Sequence, residues 1–232
     1  MIAVTGGSYI KKSWMFPAGE QGVSVDVDID MGSPLTIVWD YENDAELVKI
    51  ALLKDALVRV GATDIQLKVP YFPYARQDRV CNPGESHSLK VVGELINSLK
   101  FDRVIVHDPH SSVMEAVIDR LCVVHQADAQ YDNLIYLRRN GFNKDNTVLV
   151  APDAGAAKKV YDVAKAWGFD KVLVCHKRRD LTNGNIIDTM IPLEGSVDYN
   201  FVVIDDILDG GRTFIELGPL LKSYTSGKLH LS

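Results

Sequence analysis

The sequence predicts an α/β protein, one large domain or two small ones, built of mainly parallel sheet flanked by helices. Apolar strand-like runs alternate with helix-like stretches through most of the 232 residues. The alternation comes in two rounds of strand–helix–strand, which implies parallel strands joined by helical crossovers. Both halves end strands in acid-containing loops, "HDPHSS" in the first and "APDAG" and "DDILDGG" in the second.

"PLTIVWD" (34–40) is the first strand of round one. The helix "NDAELVKIALLKDALVRVG" (43–61) follows, with Leu47, Ile50, Leu53, Leu57 and Val60 on one face, Asn43 or Asp44 as cap and Gly61 as stop. "DIQLKVPYF" gives a strand, "SLKVVGELINSLKF" a helix and "DRVIVHD" a strand. Round two runs through "NTVLVAPD", the helix "AGAAKKVYDVAKAWG", the strand "KVLVCHK", and "VVIDD" with its helix "TFIELGPLLKS". The polar stretch "AQYDNLIYLRRNGFNKDN" places the domain boundary near residue 132, giving domains 1–132 and 133–232.

A chain this long buries roughly 70–75% of its unfolded surface, so it needs no disulfide or metal staple to fold. The net charge of −6 offers no field for nucleic acid. Cys81, Cys122 and Cys175 have no CxxC spacing, which argues for a reducing cytoplasm and against a zinc ribbon. "MIAVTGGSYIKKSW" lacks the apolar core of a signal peptide, and no apolar run reaches the roughly 18 residues of a membrane span.

The chemistry concentrates in "VVIDDILDGGRT" (202–213). In open α/β sheets ligands bind at the carboxyl ends of strands, where Asp205, Asp206 and Asp209 fall. Gly210 and Gly211 before a helix N-terminus leave backbone N–H groups free to hold phosphate, and Arg212 and Thr213 add a charged fork and a hydroxyl. The acids repel phosphate, so they need a different partner, either sugar hydroxyls or Mg²⁺. A ribose phosphate satisfies both requirements. An ordinary strand-to-helix turn with acidic caps is the plainer alternative.

The same segment resembles the fingerprint of type I phosphoribosyltransferase folds, with Gly210 and Arg212 as departures. "VPYFPYARQDR" (69–79) resembles the Pro-Tyr-Phe-x-Tyr-Ala-Arg-Gln-Asp-Arg stretch of the ribose-phosphate pyrophosphokinases. "FPAGE" (16–20), "HDPHSS", "APDAGAAKK" and "HKRRD" resemble further segments of that family, in family order. The resemblance implies two phosphoribosyltransferase-like domains, the first serving ATP and the second ribose 5-phosphate. It implies transfer of diphosphate from ATP to the C1 hydroxyl of ribose 5-phosphate. Such a transfer asks the protein mainly for alignment and charge neutralisation.

By that match Phe16, Glu20, Arg76 and Gln77 contact ATP, although Ala18 stands where the family has Asp. Asp205, Asp206 and the 209–213 loop hold the sugar phosphate, and Lys177 and Arg179 neutralise the transferring diphosphate. If the 177–179 segment is extended, Arg178 alternates away from both. His110 and Asp153 become ligands of Mg²⁺, the implied cofactor, which usually takes one or two protein ligands plus water and substrate phosphates. The resemblance also implies a homo-oligomer in which the Phe16 region reaches a neighbour's ATP. It implies a longer chain as well, with a helix ahead of "MFPAGE" and a strand and helix after "GKLHLS". Two other classes stay open: a phosphoribosyltransferase that consumes the diphosphate product, and a non-catalytic regulatory relative.

Overall fold

A strand apolar at alternate positions buries one face of a sheet, whereas one apolar throughout buries both. The halves of this chain differ in that respect, and each half forms its own unit. The computed structural model describes residues 1–6, 10–26, 34–179, 186–208 and 210–232, with the backbone alone for 177–179 and 186–188. Its compact units are Met1–His125 and Gln126–Ser232.

The first unit opens with β1 (Ile2–Thr5) and a hairpin of β2 (Ile10–Met15) and β3 (Gln21–Val25). Then come β4 (Leu35–Trp39), α1 (Ala45–Arg59), β5 (Ile65–Val69), α2 (Ser88–Ser98), β6 (Arg103–His107), α3 (Val113–Val117) and β7 (Leu121–Val124). The sheet order is β1-β4-β5-β6-β7, parallel from β4 onward and antiparallel at β1. Leu35, Ile37, Trp39, Ile65, Leu67 and Val69 are buried at every second position and pack with Ile50, Leu53 and Leu57 of α1 and Leu89 and Ile96 of α2. The intervening Thr36, Val38, Gln66 and Lys68 are only half-buried.

The expected α1 face is present, with Leu47 and Val60 half-buried at its margins. Its N-cap is Asp44, which makes no side-chain cap bond, and Asn43 Oδ1 accepts the Ala45 N–H at 3.1 Å instead. The expected strand 64–72 stops at Val69, because Pro70 has no N–H to continue the ladder.

The second unit runs α4 (Gln126–Ala129), α5 (Tyr131–Arg139), β8 (Thr147–Ala151), α6 (Ala157–Trp167), β9 (Val172–Val174), β10 (His176–Arg179), β11 (Ile186–Met190), β12 (Asn200–Val203), α7 (Arg212–Tyr224) and β13 (Leu229–Leu231). Its main sheet is wholly parallel, in the order β13-β12-β8-β9, beside a β10–β11 hairpin. Leu149, Ala151, Val202 and Ile204 pack toward α5 and α6, while Val150, Phe201 and Val203 pack toward α7. Burial on both faces explains why β8 and β12 read as continuous apolar runs.

The polar stretch expected to carry the boundary is helical instead. Leu134 and Leu137 of α5 are buried, and the Trp167 indole N–H donates to the Ala127 carbonyl at 3.0 Å. The division therefore falls ahead of residue 132. The expected strand 171–177 also splits. Cys175 still bonds to the Ala151 carbonyl at 2.9 Å, but from His176 the chain pairs with β11. The pairing shifts register between Arg178 and Arg179, passing over Ile187 of β11.

Candidate functional site

In the second unit the chain lays β9 on one side of β8 and later places β12 on the other. This reversal is a switch point, where loops leaving adjacent parallel strands part and open a crevice at their carboxyl ends. Asp153 leaves β8, and its Oδ1 accepts the Ala156 N–H at 3.1 Å as α6 begins. Asp205 and Asp206 follow the buried Ile204 beyond β12. Asp205 Oδ1 accepts the Asp206 N–H at 3.0 Å. Burial first, then the charges of Asp206 and Asp153, pushes the Asp205 carboxyl up to about 6 against that hydrogen bond. The structure thus brings Asp153 and Asp206 within electrostatic reach of Asp205.

Lys159 meets Asp206 across 3.1 Å, with side chains only 26% and 14% exposed. Lys159 lies in the first turn of α6, which carries no acid, and a cation there opposes the helix dipole. That misfit was a sequence signal for a nearby carboxylate, and the reading of "APDAGAAKK" missed it. Gln126 was missed as well. It is buried, and its Nε2 donates to the Asp205 carbonyl at 2.9 Å, steadying the loop.

Gly211 begins α7 with φ +68°, a left-handed conformation that favours glycine. Space is open beside Gly210, where an added Cβ would meet nothing within 4 Å. Thr213 is half-buried in the first turn, whereas the Arg212 guanidinium pairs along the helix with Glu216 at 2.6 Å. Asp209 lies outside the described residues, as do the side chains of Lys177 and Arg179, whose backbone belongs to β10.

In the first unit, Arg76 and Gln77 occupy the loop after β5, beside a cleft of about 500 Å³ that Cys81, Glu85 and Ser86 also line. Tyr74 enters this loop at φ +61°. Its hydroxyl and that of Tyr41 both donate to Asp44 Oδ1 at 2.8 Å. The Asp44 bond and burial push the Tyr41 phenol up to about 12. Gln77 Oε1 accepts the Ser88 hydroxyl at 2.5 Å, while its carbonyl accepts the Leu89 N–H at 3.2 Å.

Asp78, also missed, ties this loop to the one bearing His110. It is 6% exposed, takes the Arg79 guanidinium through two bonds of 2.7 and 3.0 Å, and accepts the Ser111 hydroxyl at 2.6 Å. Those bonds, Arg79 foremost, outweigh burial and hold its carboxyl at about 2. Phe16 and Glu20 bracket the turn of the β2–β3 hairpin, where the Phe16 N–H donates to the Glu20 carbonyl at 2.8 Å. The Phe16 ring is 51% exposed.

Two units of mainly parallel sheet with polar loops at the strand ends define a protein of phosphoribosyltransferase-like fold. The phosphoribosylpyrophosphate synthetase of Mycobacterium smegmatis shares that fold, with a TM-score of 0.76 and 23% identity over 95% of this chain and 70% of that one. The family pattern for the N-terminal domain of ribose phosphate pyrophosphokinase matches residues 12–99. The ribose-phosphate pyrophosphokinase of Methanosarcina mazei is 30% identical over 94% of this chain and 69% of its own length. That of Campylobacter jejuni is 32% identical over 89% of this chain and 65% of its own. The chain belongs to the ribose-phosphate pyrophosphokinase family. It spans 65% of the length of the Campylobacter relative and of one from Aquifex aeolicus.

Proposed function

We propose that the chain transfers diphosphate from ATP to the C1 hydroxyl of ribose 5-phosphate, giving AMP and 5-phosphoribosyl 1-diphosphate. The observation that carries this reading is the switch point of the second unit, where half-buried carboxylates stand ahead of a glycine-opened helix N-terminus. Carboxylates accept from ribose hydroxyls and helix N–H groups hold the 5-phosphate, so one crevice suits both parts of the sugar.

In this reading Asp205, Asp206 and Asp209 orient the ribose, and Gly210, Gly211, Arg212 and Thr213 receive its phosphate. Phe16, Glu20, Arg76 and Gln77 take ATP, with Gln77 already oriented by Ser88. Lys177 and Arg179 meet charge that grows on the diphosphate as it transfers. His110 and Asp153 are the proposed ligands of Mg²⁺. Asp205, raised first by burial and then by the charges of Asp206 and Asp153, and Asp153 beside it are acids that fit a cation held largely by water and phosphate oxygens. Bound Mg²⁺ would neutralise phosphate oxygens during the transfer.

The same reading makes the chain a cytoplasmic homo-oligomer in which the Phe16 hairpin serves a neighbour's nucleotide, which light scattering on the purified protein tests directly. Among the described residues no helix is long and apolar enough to cross a membrane. AMP release tests the reaction: it should require ATP, ribose 5-phosphate and Mg²⁺ together. Consumption of 5-phosphoribosyl 1-diphosphate with a nitrogenous base, without AMP release from ATP, would favour a phosphoribosyltransferase instead.

A further inference from the structure

The β2–β3 hairpin carries a second aromatic residue that the proposed reaction does not use. Trp14 is 37% exposed and stands edge-to-face with Phe16, ring centroids 6.4 Å apart and planes at 77°. It faces Gly22 across the hairpin. A Cβ at Gly22 would fall 2.1 Å from the indole, so the ring lies where only glycine leaves room. Lys12 Nζ sits 5.7 Å from the indole centroid and adds a cation–π contact. Phe16 stands at a turn with its ring half exposed, and immobilising a mobile side chain weakens binding.

We propose that Trp14 is a positioning residue for nucleotide binding: laid over Gly22, it holds Phe16 edge-to-face so that the Phe16 ring is ready to stack on a purine base. This rests on the reading of Phe16 as a base contact. Edge-to-face pairs are favourable beyond their buried area, which suits a small hairpin with no core of its own. The indole also compensates for Ala18, which offers the base no hydrogen bond where the family resemblance expects an acid.

The chain has three tryptophans, and Trp39 and Trp167 are 1% and 3% exposed, so acrylamide quenching reports mainly on Trp14. In the full-length protein, ATP should protect Trp14 from acrylamide. By calorimetry, Trp14→Ala and Gly22→Val should each weaken ATP affinity about 3- to 10-fold, the range expected from restoring side-chain freedom. Trp14→Phe should keep the parent's affinity while losing the fluorescence response. Unchanged melting temperatures would separate these effects from unfolding. If Phe16→Ala weakens ATP binding and Trp14→Ala does not, the positioning role is overturned alone. If Phe16→Ala changes nothing, the base role of Phe16 falls with it.

Discussion

The second unit gathers its polar residues at one crevice, whereas the first spreads them over a hairpin turn and two loops. Strand order accounts for the contrast. In the first unit β4, β5, β6 and β7 are laid down successively in one direction. Right-handed crossovers then put the helices on one face, which is why Thr36, Val38, Gln66 and Lys68 on the other remain half-buried. In the second unit the reversal between β9 and β12 puts α6 and α7 on opposite faces, and the loops flanking the reversal part to open the crevice. Where topology makes the crevice, few side-chain links are needed to assemble it. Where it does not, links such as Tyr74–Asp44 and Asp78–Ser111 hold the loops together.

The largest effect is expected at β10. Lys177→Ala or Arg179→Ala should lower single-turnover AMP formation at saturating substrates by roughly 10²-fold or more, the usual cost of one preorganised charge-stabilising donor. Parent-like rates in both variants would reduce the basic strand to a solvated charge run, whose removal typically changes stability by about 0.5 kcal/mol or less.

The next prediction probes the side-chain ties of the first unit through pH. The folded-state value of about 2 for Asp78 lies below the roughly 3.9 of an unfolded Asp. Its contribution is therefore complete above about pH 5 and disappears as pH falls toward 2. With Arg79 70% exposed, the contribution should be on the order of 1–2 kcal/mol. Urea midpoints followed from pH 6 to 3 should fall more steeply in the parent than in Asp78→Asn. Parallel curves would remove Asp78 from the framework of the first unit.

The smallest effect concerns base selection. With Ala18 in the hairpin turn, kcat/KM for ATP and GTP should agree to within about 10²-fold, against 10⁴ or more for a site that hydrogen-bonds the base. Ala18→Asp should widen the gap. A parent preference above about 10⁴ would place base reading elsewhere in the first unit.

Much of both cores was legible because it was periodic. Leu35, Ile37 and Trp39, and Ile50, Leu53 and Leu57, signal strand and helix by spacing alone. The β2–β3 hairpin was not legible, since four lysine, serine and aromatic positions in "IKKSWM" are exposed and its packing depends on Gly22 lying across from Trp14. Helix α5 was hidden because only Leu134 and Leu137 bury, leaving a stretch that reads as a polar linker. The carboxylates of the crevice stood out in "VVIDD", but Lys159 reaches the Asp206 carboxylate and Gln126 the Asp205 carbonyl only through the fold, from 47 and 79 residues away. Asp78 was hidden in the same way, since its partner Ser111 is 33 residues distant.

The division of labour between the units is tested most directly by calorimetric titration of Asp205→Ala/Asp206→Ala with each substrate separately. Each hydrogen bond to a charged group is worth roughly 1.5–3 kcal/mol, so ribose 5-phosphate affinity should fall by about 10²-fold or more. ATP affinity should stay within about 3-fold of the parent, because no carboxylate of the second unit is assigned to the base or to its stacking. An unchanged affinity for ribose 5-phosphate, or an equal loss for both ligands, would contradict the assignment of the sugar phosphate to the switch point of the second unit.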